Sequence, residues 1–297
     1  MGRHLVSILA SIFGVVGGLA ACGDNLRPDP DREPQDQTIS FTSTAPADAE
    51  VGGSTYTVAA TATSGLAVAF TIDPSAAAVC SIAGATVSFT GVGTCVINAD
   101  QAGDASFNPA PRVQQAFAVG KGAQTISFTS AAPTTAAVGG PTYTVTATAT
   151  SGLPVALTID AAAAGVCSID GATVSFLAAG TCVINADQAG DARYEPAPQV
   201  QQSFAVALAA QTITFTSTAP AAAVVGGATY TVTATATSGL PVAFTIDPAA
   251  AEVCSITGAT VSFLTGGTCV INADQPGDAS YQAAPQVQQS FAVARAT

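Results

Sequence analysis

From Thr55 to Thr63 the chain alternates apolar and polar side chains, with Ala59 the one apolar residue at a polar position. Tyr56, Val58, Ala60 and Ala62 fall on one side, and mostly threonine falls on the other. A period of two marks a strand with one buried face. The alternation returns with Thr144, Thr146 and Thr148 outward, and again with Thr231, Thr233 and Thr235. Around the first of these strands lie further short segments of the same kind: Thr38–Thr42, Val68–Ile72, Val79–Ile82, Thr86–Phe89, Thr94–Ala99 and Val113–Val119. No segment of this unit carries a helical period, so the pattern predicts about seven short strands. Gly52-Gly53 precedes the second strand and Ser64-Gly65 ends it. Asp170-Gly171, between Ile169 and Thr173, predicts a two-residue hairpin loop. Pro46, Pro133 and Pro220 end the first strand of each copy and blunt an edge against stray pairing.

The unit is repeated. Gln37, Gln124 and Gln211 open the copies QTISFTS, QTISFTS and QTITFTS, a period of 87 residues. The copies align without a gap to Val119, Val206 and Val293, giving units at 37–119, 124–206 and 211–293. A period of domain size implies that each copy closes its own core; a much shorter one would imply a solenoid. The joints, Gly120–Ala123 (GKGA) and Ala207–Ala210 (ALAA), are four residues long. Glycine content makes the first the more flexible and the second the stiffer, and short joints favour an elongated array.

Apolar residues form 48% of the chain, but alanine supplies much of that, aromatics are 6% and tryptophan is absent. Such cores are thin, and small domains bury proportionally less surface. A covalent link would compensate. Each copy contains one VCSI…GTCVINADQ stretch with two cysteines. Identical units should solve their pairing identically, which predicts the bridges Cys80–Cys95, Cys167–Cys182 and Cys254–Cys269. Closing a loop of this length is worth about 3 kcal/mol through chain entropy. Paired cysteines also indicate an oxidising compartment.

Seven short antiparallel strands in a unit of this size argue for an all-β fold, a β-sandwich of immunoglobulin-like type. The phrases VGGPTYTVTATATSGLPV, GTCVINADQ and QVQQSFAV together resemble the bacterial Ig-like repeat domains of secreted and surface proteins. The resemblance covers residues 37–293. It implies three tandem sandwiches acting as spacer or adhesin-like rod, with no chemistry. One departure is visible: antibody-type domains set their cysteines far apart and pack them on a tryptophan, whereas here the cysteines are close and tryptophan is missing.

Residues 1–21 (MGRHLVSILASIFGVVGGLAA) have a short positive start, an apolar run and small residues before Cys22, the layout of a secretory signal peptide. Leu19-Ala20-Ala21-Cys22 resembles the lipobox of bacterial lipoproteins. It implies lipidation of Cys22 and a membrane-anchored chain in the bacterial cell envelope, at the outer membrane or cell surface. Stable anchoring follows from several acyl chains on one residue. Residues 22–36, with three prolines and seven charges in Gly23–Gln37, read as a disordered tether.

The net charge is −12, and beyond residue 33 only Arg112, Lys121, Arg193 and Arg295 are basic. That excludes nucleic acid as a partner. The only histidine is His4, inside the leader, so the mature chain has no His-based triad, dyad or metal site. Lys121 is the only lysine, which excludes a Lys–Asn isopeptide bond within a repeat. The chain reads as a non-enzyme with no cofactor. The alternative is a calcium- or carbohydrate-binding module. Its candidate ligands are Asp100 and Asp104 with their equivalents Asp187, Asp191, Asp274 and Asp278, approached by Asp73, Asp160 and Asp247. The plainer role of these carboxylates is turn capping. Phe107, Tyr194 and Tyr281 read either as plugs for their own cores or as exposed partner-binding aromatics. Threonine-rich outward faces suit a protein or glycan partner at the cell surface.

Overall fold

The computed structural model describes residues 33–296. The leader, Cys22 and most of the tether lie outside the described residues. The rest is three tandem immunoglobulin-like β-sandwiches.

In the first repeat the strands are β1 (Ile39–Phe41), β2 (Tyr56–Thr57), β3 (Ala60–Ala62), β4 (Ala69–Ile72), β5 (Cys80–Ala83), β6 (Thr86–Phe89), β7 (Gly93–Asp100) and β8 (Val113–Val119). One layer runs β4–β7–β8 and the other β2–β6–β5, with β1–β3 as a small third ladder. The second and third repeats repeat this order and add a two-residue strand, Ala136–Ala137 or Ala223–Val224, parallel to the last strand. In the first repeat the same crossing is the single bridge between Glu50 and Gly120.

The predicted strand Thr55–Thr63 keeps its alternation but breaks in two. Val58 and Ala62 are buried. Between β2 and β3, however, the Ala59 carbonyl accepts from both Thr42 and Ser43, while the Ser43 hydroxyl accepts from the Ala59 N–H at 2.9 Å. One strand thus leaves β6 and joins β1. The hairpin at Asp170-Gly171 also forms, shifted by one position. Asp170 pairs with Thr173, which leaves Gly171-Ala172 as the two-residue loop.

Cys80 sits on β5 in one layer and Cys95 on β7 in the other, and the structure bonds them with a Cα separation of 5.7 Å. Stacked sheets lie about 10 Å apart, so the layers converge at this staple. Cys167–Cys182 and Cys254–Cys269 repeat it. Val58, Val87, Ile97 and the two sulfurs form the centre, all 1% exposed or less. Burying each such aliphatic side chain contributes about 1.5–3 kcal/mol. Phe117 is met edge-on by Phe89 and Tyr56, with ring centroids 5.8 and 5.7 Å away. The Tyr56 hydroxyl meets the Ser43 hydroxyl at 2.5 Å and donates to Gln115 Oε1 at 2.8 Å, so the ring's polar end spans the layers. Tyr143 and Tyr230 do the same with Gln202 and Gln289.

Two outcomes test this account. Replacing Cys167 and Cys182 together by alanine should lower the middle repeat's stability by about 3 kcal/mol. In urea this shows as an early transition of the middle repeat, with the third repeat unfolding where it did before. Tyr143→Phe should cost that repeat about 1 kcal/mol, read as a smaller shift of the same transition.

Candidate functional site

The carboxylates occupy three separate places on each sandwich. Asp73 follows β4, and its N–H donates to the Val96 carbonyl at 2.9 Å. Its side chain caps the short 3-10 turn Pro74–Ala76, accepting from the Ser75 N–H at 3.0 Å and the Ser75 hydroxyl at 2.7 Å. Its other oxygen accepts from Gln114 at 3.2 Å. Asp160 and Asp247 cap the equivalent turns through the N–H groups of Ala162 and Ala249.

Asp100 ends β7, opposite Ala69. It pairs with Arg112 Nε at 2.8 Å, an exposed contact of small energetic value. Glutamine takes the arginine's place in the other repeats: Gln199 donates to Asp187 and Gln286 to Asp274, each at 2.8 Å. The Asp104 carboxylate turns back onto its own loop, accepting from the N–H groups of Ser106 at 2.7 Å and Phe107 at 3.0 Å. Asp191 and Asp278 do likewise. Gly103 makes that loop possible: its φ is +76°, and a Cβ there would stand 2.3 Å from the Phe107 carbonyl oxygen.

The expected approach of Asp73 to the Asp100 loop does not occur. Asp73 lies across from Val96, four positions along β7 from Asp100, or about 13 Å at the rise of an extended strand. The same register separates Asp160 from Asp187 and Asp247 from Asp274. Among the described residues no three His, Cys, Asp or Glu side chains gather closely enough to hold a metal ion. The Asp73-type and Asp104-type carboxylates instead satisfy local donors, the ordinary work of aspartate in turns, while the Asp100-type carboxylates accept from the Arg112, Gln199 or Gln286 side chain.

The hydrogen bonds hold the Asp73 and Asp191 carboxyls below the ordinary value of 3.8: chiefly the Ser75 hydroxyl and N–H for Asp73, and the N–H groups of Arg193 and Tyr194 for Asp191.

Sequence reading missed a second polar set. Gln37, Gln124 and Gln211 are 3–4% exposed. The Gln37 amide donates to Gln101 Oε1 and to the Asn108 carbonyl, and its oxygen accepts from the Ser64 hydroxyl. This ties the start of the repeat to the loop after β7. Buried Asn98 similarly accepts from Gln114 at 2.7 Å. The recurring phrases QTI, TSGL and NADQ carried the signal: the first supplies the buried Gln, the second the Ser, and the third both the Asn and the accepting Gln.

The aromatics after the Asp loops form bridges to the chain entering each repeat. Phe107 pairs with Gln35, Tyr194 with Gly122 and Tyr281 with Ala209. Residues 34–36, read from sequence as tether, are held here: Asn108 donates to the Gln35 carbonyl at 2.8 Å and to the Pro34 carbonyl at 3.0 Å. Tyr194 does something neither sequence reading supplied. Its ring leaves its own repeat and packs against the core of the first.

Neither a protein-family model nor a curated protein sequence matches the chain. Among solved structures it is similar to Drosophila N-cadherin EC1-4, at 11% identity over 89% of this chain and 76% of that one, with a TM-score of 0.28. It is similar to mouse cadherin-23 EC22-24, at 14% identity over 88% and 98%, TM-score 0.29. It is also similar to surface layer protein SbsC, domains 1-6, at 17% identity over 88% and 40%, TM-score 0.28. At these scores the sheet topology, and not the likeness, carries the fold assignment.

The depressed carboxyls set an acid dependence. A group whose folded pKa lies below its unfolded one stabilises the fold above the unfolded value, and that contribution is lost as pH falls through the folded value. The melting temperature should therefore be flat from about pH 7 to 5 and fall below 3.8, the ordinary carboxylate value. Asp191→Asn should lower the neutral-pH melting temperature of the middle repeat and make its acid limb shallower. Melting curves across pH read both.

Proposed function

We propose that the chain is a lipid-anchored envelope protein whose three sandwiches form a non-catalytic spacer or interaction rod. One observation carries this reading. The same stapled unit occurs three times, and in every copy the Asp73-type and Asp104-type carboxylates cap that copy's own turns while the Asp100-type carboxylate at the end of the long strand is held by an arginine or glutamine side chain twelve residues on. A repeated unit of this kind supplies length and surface. The leader and Cys22 supply the anchor, with the acyl chains in a bacterial envelope membrane and residues 22–36 spanning the gap to the first repeat. The outward threonines offer a neutral surface of hydroxyls to a protein or glycan.

In an expressing bacterium, a radiolabelled fatty acid should label the wild-type chain, and the protein should sediment with membranes. Cys22→Ser should abolish the label and release the chain to the soluble fraction. An unlabelled, soluble wild-type protein would refute the anchored reading. Excising residues 124–210, one full period, should leave export and both remaining bridges intact while shortening the rod. Loss of either bridge would contradict independent units.

A further inference from the structure

The two joints are built from the same parts and close differently. In the first, Gly120 is held by the repeat before it: its N–H donates to the Ala49 carbonyl at 2.8 Å, and its carbonyl accepts from Val51 at 3.1 Å. Gly122 is held by the repeat after it, donating to the Arg193 carbonyl and accepting from Glu195, each at 2.9 Å. Only Lys121 lies between these clamps. In the second joint the Ala207 carbonyl accepts from Val138 at 3.0 Å, while Ala209 donates to Ser280 at 2.8 Å and accepts from Gln282 at 2.9 Å. Only Leu208 lies between, and its carbonyl accepts from the Gln282 side chain of the third repeat at 2.9 Å. Each four-residue linker therefore leaves at most one residue free to turn.

What differs is the position after the hinge. A Cβ on Gly122 would stand 2.2 Å from the Val51 carbonyl oxygen and 3.1 Å from the Tyr194 ring. Bare backbone lets the repeats approach, the ring joins the first repeat's core, and Val51 is 3% exposed. At the equivalent place in the second joint stands Ala209, which carries that Cβ. Tyr281 is not among the residues packed on the second repeat's core. Val138, the equivalent of Val51, is half-buried, and neighbouring Leu177 is 51% exposed. The space at Gly139, whose counterpart Gly52 lies against the Tyr194 hydroxyl, is open.

We infer that residue 122/209 is a joint lock: glycine lets a tyrosine from the following repeat seal the first joint into one stiff body, and alanine leaves the second joint unsealed, free to turn about the Ala207–Leu208 step. This reverses the order that glycine content alone suggests. Glycine at position 122 acts through close approach and not through looseness. The first two repeats then move as a unit, and the third swings. Unsealed domain pairs move relative to one another by default.

Spin labels test this on the full-length chain carrying Cys22→Ser. Introduced cysteines at Thr61, Thr148 and Thr235, exposed and equivalent in the three repeats, take labels in pairs, and double electron–electron resonance reads each distance distribution. The 61–148 distribution should be narrow and the 148–235 distribution at least about twofold broader. Gly122→Ala should broaden the first pair to match the second. Tyr194→Ala, which leaves the backbone untouched, should do the same, and circular dichroism spectra of both variants should show all three sandwiches folded at the temperature of the distance measurement. Equal widths in the wild type, or a 61–148 width unmoved by both variants, would overturn the inference.

Discussion

A single sulfur–sulfur bond per repeat is the one covalent link between two layers that share only a thin core. The strands are short, tryptophan is absent, and much of the apolar content is alanine. Hydrophobic burial in a unit of this size barely exceeds the entropy of ordering it. The bond lies at the centre of the buried cluster, with Val87, Ile97 and Phe89 around it. Because it spans strands of opposite layers, it removes from the unfolded chain the states in which the layers part. The Tyr56-type hydroxyl latch adds a second crossing made of hydrogen bonds, and the buried Gln37-type amide a third at the end of the sandwich. Each repeat is thus closed at three points along its length.

Polar groups in these sandwiches serve closure. Asp73 caps a turn and reaches the amide of Gln114, Asp104 folds its own loop, and Asn98 is buried against Gln114. For Asp73 and Asp191 the donors in their own loops stabilise the anion, and that disfavours any role needing either to take up a proton near neutral pH. The three copies therefore resemble structural elements in their chemistry as well as in their number.

Much of the fold was legible because period two and an exact repeat are local signals. The alternation at Thr55–Thr63 located the buried face correctly, and the doubled cysteines located the staple. The break at Ala59 was not legible. It depends on the Ser43 hydroxyl reaching across from another strand, which no alternation records. Nor was the separation of Asp73 from Asp100, which is a consequence of antiparallel register: Asp73 comes to lie beside the middle of β7, at Val96, while Asp100 ends the strand. Tyr194 was visible as an aromatic after a turn, but its partner is another repeat, and the deciding feature is the missing Cβ of Gly122.

The central claim is that every repeat is closed by its own bond. Peptide mapping of the purified, unreduced protein by mass spectrometry tests it most directly. The account predicts three cross-linked peptide pairs, Cys80 with Cys95, Cys167 with Cys182 and Cys254 with Cys269, and no free thiol among the six. A bond joining two different repeats, or reduced cysteines in the folded chain, would contradict it.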